Sequence, residues 1–207
     1  MLKTVLLGGT GLIGRQVLSK TSGLTVLSRK DIPEQARRHH IVVANNLLDI
    51  SWPEHSEQVI CCLGTTLKKA GDQDSFINQD FLLPRTLLER AIKQGAKRLL
   101  IISAVGADPD SRVFYSRIKG ELESAVANMG WEQVVIYQPS LLLGTRINDA
   151  RPTEWVSQLF GKVLAPIVPS QWRPIQADAL ADRLVFDAQS PLKANIEIVK
   201  GQALWRY

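Results

Sequence analysis

The sequence predicts an α/β fold in which a parallel sheet is wound on both faces by helices. Three observations carry that reading. Short apolar runs alternate with longer helical patterns along the chain, as in βαβ units. Runs such as VLL, LLII and VVI are continuously apolar, which suits strands covered on both faces. The first run ends in Gly8-Gly9-Thr10-Gly11-Leu12-Ile13-Gly14, and a helical pattern opens directly after it.

Each element follows from local pattern. Strands are expected at 3–7, 24–27, 40–43, 58–62, 98–103 and 132–138, with a last one at 195–199. Helices are expected at 12–20, 76–94, 112–129, 153–164 and 177–187. Pro84 falls inside the second helix and should kink it or mark its true start. Gly95 and Gly130 stand where helices end, the place for a residue with positive φ. The 207 residues read as one dinucleotide-binding domain, 1–207, with ample chain for a buried core. After Gly144 the pattern changes. Residues 145–174 carry Pro152, Pro166, Pro169 and Pro174 with Trp155 and Trp172, an irregular covering segment. It either closes over a substrate or caps the core.

Composition narrows the function classes. The hydrophobic fraction of 45% and charged fraction of 22% are those of an ordinary globular chain. The net charge of +5 is scattered, with no basic arm interleaved with aromatics, so no nucleic-acid partner is expected. No apolar run approaches a membrane span of about 20 residues. Met1-Leu2-Lys3 runs straight into the first strand without a secretory signal pattern, and the expected location is cytoplasmic. Cys61 and Cys62 are adjacent and point to opposite faces of a strand, which disfavours a disulfide. His39, His40 and His55 read as surface residues without ligand-like spacing, and no metal site is expected.

The glycine cluster identifies the sheet as Rossmann-type. Its spacing is G-x-x-G-x-x-G. Gly8 allows the turn out of the strand, Gly11 lets a pyrophosphate approach the backbone, and Gly14 lets helix pack on strand. The amides around Thr10, Gly11, Leu12 and Ile13 then face the phosphates at the positive end of the helix. The second strand ends Leu27-Ser28-Arg29-Lys30, where an NAD site usually places a carboxylate. Two cations suit a 2′-phosphate instead, so NADP(H) is favoured over NAD(H). Asp49 either meets the adenine amine or caps a turn. Cys62, Leu63, Gly64 and Thr65, after the fourth strand, should pass beside the adenosine ribose and pyrophosphate.

Chemistry is expected at the end of the fifth strand. Ser103 stands at its carboxyl end, where open α/β sheets bind ligands. Twelve residues on, Tyr115 and Lys119 share one helix face at i,i+4 spacing. A phenol with pKa near 10 exchanges protons poorly at neutral pH unless a nearby ammonium stabilises its anion. Tyr115 would then give a proton to a carbonyl oxygen, Ser103 would hydrogen-bond that oxygen, and Lys119 would hold the nicotinamide ribose.

Together these residues resemble the short-chain dehydrogenase/reductase superfamily, and more closely its small atypical branch, the Tat-interacting-protein-like NAD(P)-binding oxidoreductases. The resemblance spans nearly the whole chain and includes YSRIKGELE, CCLGTTLKKAG, the Asn78-Gln79-Asp80 region, and QPSLLLGTR followed by RPTEW. It implies a Rossmann fold, NADPH binding and a Ser/Tyr/Lys site at Ser103, Tyr115 and Lys119. It also implies that Pro139, Ser140 and Leu141 line the nicotinamide pocket and that Arg146 reaches a cofactor phosphate or an anionic substrate. Relatives often carry Ser-Ser where this chain has Ser103-Ala104.

The first function expected is an NADPH-dependent reductase, or dehydrogenase, of a small carbonyl or alcohol. The alternative is a non-catalytic NADP(H)-binding regulator that presents a surface to a protein partner. Retention of both Tyr115 and Lys119 leans towards the enzyme. An epimerase or dehydratase is a third option, for which the C-terminal portion is short. The superfamily resemblance also suggests a homodimer.

Overall fold

The computed structural model describes residues 2–35, 37–143, 169, 172–193 and 195–205. The expected helix at 153–164, Arg146, and all of the 145–174 segment except Pro169 and residues 172–174 lie outside the described residues.

The seven expected strands form one parallel sheet. In chain order they are β1 (Thr4–Leu7), β2 (Thr25–Ser28), β3 (His40–Val43), β4 (Gln58–Cys61), β5 (Arg98–Ile102), β6 (Gln133–Gln138) and, last in the chain, β9 (Ile196–Lys200). Their spatial order is β3-β2-β1-β4-β5-β6-β9. The order reverses between β1 and β4, whose register aligns Leu7 with Cys61. The crevice outside the carboxyl ends of these two strands is the switch point where such sheets bind ligands.

Both faces of the central strands β1, β2, β4, β5 and β6 are covered, as their continuous apolar runs require, while Val43 of β3 and Ile196 and Ile198 of β9 stay exposed at the edges. Leu6, Val26, Ile60, Leu100 and Val135 face one layer, with α1 (Leu12–Lys20) and α6 (Ala177–Gln189). Val5, Leu27, Val59, Leu99 and Val134 face the other, with α4 (Leu83–Lys93) and α5 (Phe114–Ala127). Alternation along each strand sends neighbours to opposite layers. Lys20 ties α1 to α6 through Asp178 and Asp182, each at 2.8 Å.

The Pro84 region resolves into a mixed helix. After the short α2 (Leu67–Ala70), α3 (Gln73–Ile77) runs into a π turn at Asn78–Leu82 and then into α4, with Pro84 in its first turn. Proline lacks the N–H that a regular turn would aim at residue 80, and the wider turn absorbs that loss. Gly95 and Gly130 take φ of +91° and +89° beyond α4 and α5, as helix-ending glycines do. A small parallel pair, β7 (Leu142–Leu143) with β8 (Ile175–Gln176), was not expected because each strand has two residues.

His39 is a correction. It is buried at 5% exposure, with Nε2 at 3.0 Å from the Leu18 carbonyl and Nδ1 accepting from the Leu24 N–H at 3.4 Å. Its polar sequence neighbours concealed a ring that fits between α1 and β2.

Candidate active site

The glycine turn is shaped by close backbone approach. Gly8 has φ +82°, and a Cβ there would lie 2.6 Å from the Cys62 carbonyl carbon and oxygen. The ends of β1 and β4 therefore meet backbone to backbone. The Gly11 amide donates to the Gly8 carbonyl at 2.9 Å, and a Cβ at Gly14 would fall 2.2 Å from that same oxygen. Gly11 caps α1 without a side-chain hydrogen bond, and no acidic residue occupies the first turn. The first amides of the helix thus remain open at its positive end. Arg15, absent from the expected set, folds back so that its Nε donates to the Thr10 carbonyl at 3.0 Å. An open amide cradle with a guanidinium on its rim fits a dinucleotide pyrophosphate.

The turn after β2 carries the two expected cations. Ser28 Oγ donates to the Lys30 carbonyl at 2.7 Å and accepts from the Lys30 N–H at 3.2 Å, which fixes the turn. Arg29 and Lys30 are exposed, and neither side chain has a protein partner among the described residues. Asp49 ends a single 3₁₀ turn at Leu47–Asp49 and accepts from Asn46 Nδ2 at 3.4 Å.

Lys119 and Asp80 form the buried centre of the site. Their side chains meet at 2.5 Å, with Lys119 at 4% exposure and Asp80 at 0%. The other Asp80 oxygen accepts from the Thr65 N–H at 2.8 Å. Gly64 completes the arrangement, since a Cβ there would sit 3.6 Å from both Asp80 Oδ1 and Lys119 Nζ. The expected segment Cys62, Leu63, Gly64 and Thr65 is thereby fixed to the π turn and to α5. The Asp80 signal was present in the sequence only as part of a family-like segment. A buried carboxylate on a π turn has no periodicity that betrays it.

Tyr115 lies half-buried one turn before Lys119, its ring 5.5 Å from that of Phe76. Burial pushes its phenol above the ordinary value, Lys119 opposes that, and Asp80 reinforces it. The activation expected from Lys119 is thus opposed first by burial of the phenol and then by the carboxylate beside it. Ser103 is buried next to Glu123 and makes no well-formed hydrogen bond. Burial raises the Glu123 carboxyl, while Ser103 and the Gln138 amide, which donates at 2.9 and 3.0 Å, hold it down.

The mouth is built from loops at the carboxyl ends of β5 and β6. Pro139 is buried, Ser140 donates from Oγ to the Arg173 carbonyl, and Leu141 is exposed. Trp172 lies over the loop after β5, its Cη2 3.5 Å from the place of a Cβ on Gly106. Gly120 was also missed. A Cβ there would lie 2.2 Å from the Asp108 carbonyl carbon, so the loop between β5 and α5 is pressed onto the helix that carries Tyr115. Cys61 and Cys62 are reduced, and burial raises both thiols, Cys61 to about 11. Among the described residues, no cluster of His, Cys, Asp or Glu could hold a metal, and no helix is long and apolar enough to cross a membrane.

Fold and site together define a doubly wound, dinucleotide-binding α/β protein with a Tyr/Lys pair beside its switch-point crevice. No protein-family model matches the chain. It is 30% identical to protein FMP52, mitochondrial, of Candida albicans over 98% of this chain and 96% of that protein. It is 26% identical to protein HTATIP2 of Rattus norvegicus over 96% of this chain and 86% of the relative. The chain belongs to the atypical short-chain dehydrogenase/reductase family of NAD(P)-binding proteins that includes FMP52 and HTATIP2. Among solved structures it resembles MoeE5 in complex with UDP-glucuronic acid and NAD, at TM-score 0.72 and 13% identity over 96% of this chain and 76% of that one. It also resembles human epimerase family protein SDR39U1 with NADPH, at TM-score 0.65 and 17% identity over 97% and 74%. At these identities the likeness shows the fold alone.

The expected cytoplasmic location is corrected by these relatives, since the fungal ones are named mitochondrial. Lack of a secretory signal pattern bears on secretion only. An organelle address is read by a receptor and leaves no mark on the packing of the fold.

Proposed function

We propose that the protein is an NADP(H)-dependent oxidoreductase acting on a small carbonyl or alcohol, with Tyr115 as general acid/base. The observation that carries the reading is the placement of Lys119 Nζ beside the Gly64 turn, one helical turn from Tyr115. This ammonium reaches the strip of backbone along which a dinucleotide would run, and it carries the phenol with it. The cofactor, when bound, supplies or accepts the hydride. Lys119 has N–H groups left over from Asp80 with which to hold the ribose hydroxyls. In reduction, the Tyr115 O–H bond breaks as the alcohol O–H forms, and solvent returns the proton. Ser103, a buried hydroxyl without a well-formed bond, provides the second hydrogen bond to the substrate oxygen. Arg29 and Lys30, exposed at the turn after β2, meet the 2′-phosphate, which favours NADP(H) over NAD(H). Asp49 lies at the adenine side, and Pro139, Ser140 and Leu141 line the nicotinamide side. The names of the fungal relatives support a mitochondrial location, which organelle fractionation checks.

The test is NADPH consumption against a panel of aldehydes and ketones. Turnover is expected with at least one of them. Tyr115→Phe should lower it about 10²- to 10⁴-fold while NADPH binding is retained. Unchanged turnover in that variant would remove Tyr115 from the mechanism.

A further inference from the structure

We infer that Asp80 is the positioning residue of this site, keeping Tyr115 a proton donor through its hold on Lys119 and tying that state to the nucleotide-binding turn through Thr65. The inference deepens the oxidoreductase reading and rests on it for its catalytic meaning. Its structural content stands alone.

One carboxylate, fully buried, spends one oxygen on the Lys119 ammonium at 2.5 Å and the other on the Thr65 amide at 2.8 Å. It sits on the π turn, which breaks an otherwise helical run from Gln73 to Lys93. A π turn alters the angular spacing of side chains, so the carboxylate can face the turn after β4 and α5 together. Both of its contacts lie on elements that the proposed cofactor would touch.

The electrostatic consequence follows from charge balance. An ammonium alone beside a phenol favours phenolate. An ammonium paired with a carboxylate at hydrogen-bond distance does so less. The ionisable groups around Tyr115 and Lys119 are Lys119 and Glu123 on α5, Asp80 on the π turn and Cys61 on β4. Among the described residues, Lys119 is the cation that acts on Tyr115, Lys200 on β9 acts on Glu123, and Asp80 is the partner of Lys119. Burial of the phenol, the largest influence, and Asp80 both work against the pull of Lys119, so Tyr115 keeps its proton in the ligand-free protein. Such a site is set for carbonyl reduction, in which the tyrosine gives up a proton.

The experiment titrates Tyr115 by phenolate absorbance in the ligand-free full-length protein, as the difference between wild type and Tyr115→Phe. Wild-type Tyr115 is expected to titrate at or above the ordinary phenol value of about 10. A value below it overturns the inference without any Asp80 variant. In Asp80→Asn, checked for folding by circular dichroism, the titration should move down by about one pH unit or more. Asp80→Glu, which keeps the charge, should restore the wild-type titration. A folded Asp80→Asn protein with unchanged Tyr115 titration overturns the inference, because a purely structural role moves stability and not the phenol. With a turned-over carbonyl in hand, the pH profile of alcohol oxidation should shift to lower pH in Asp80→Asn. If wild type turns over no carbonyl, the oxidoreductase reading fails while the titration still decides the role of Asp80.

Discussion

Gly14 stands so close to Gly8 that a single added methyl would fall 2.2 Å from the Gly8 carbonyl oxygen. The oxygen belongs to backbone already held by the Gly11 amide, so it has nowhere to go. Gly14→Ala should raise intrinsic helix propensity by about 1 kcal/mol. It should nonetheless destabilise the protein by about 1–3 kcal/mol, because overpacking wins. Thermal unfolding measures the loss. A fluorescence titration with NADPH should show weaker binding, since the displaced oxygen shapes the amide cradle.

Arg29 offers a test of cofactor choice. Its side chain is exposed and has no described protein partner, so removing it should leave folding within about 0.5 kcal/mol. A hydrogen bond to a charged group contributes about 1.5–3 kcal/mol, which corresponds to roughly 10- to 150-fold in affinity. Arg29→Ala should weaken NADPH binding by about that factor and leave NADH binding nearly unchanged. Equal weakening of both would place Arg29 away from the 2′-phosphate.

Gly120 connects packing to catalysis. The Asp108–Pro109 backbone lies where its Cβ would be, and the Asp108 amide donates to the Ser116 carbonyl at 3.1 Å. Gly120→Ala should push this loop off α5 and cost about 1–3 kcal/mol in unfolding free energy. Because the loop leads into Tyr115, carbonyl turnover by folded protein should fall as well. Turnover normalised to the folded fraction is the measurement.

His39 predicts a pH dependence of stability. It accepts from Leu24 at Nδ1, which requires the neutral ring, and burial lowers its pKa from the ordinary 6.5. The unfolded chain then binds a proton more readily than the folded one. The contribution of His39 is full above pH 6.5 and is lost as pH falls from there through the lowered folded value. Urea unfolding at a series of pH values from 8 to about 5 should show the decline, and His39→Gln should flatten that part of the curve.

What the sequence determined by itself was whatever local pattern encodes. The seven strands, the helices at Leu12–Lys20 and Ala177–Gln189, and the glycine turn were legible because apolar period, helix-ending glycines and the strand–turn–helix order act over a few residues. Tyr115 and Lys119 were legible for the same reason, as neighbours on one helix face. Only the tertiary structure decided the rest. Asp80 meets Lys119 across 39 residues of chain, Gly8 meets Cys62 between two strands, and Gly120 meets the Asp108 backbone across a loop. His39 became a core residue because of what packs over it. These contacts depend on the wider π turn and on the order in which strands pair. Neither leaves a repeat in the sequence, because charge pairing and steric fit are settled by distance in space.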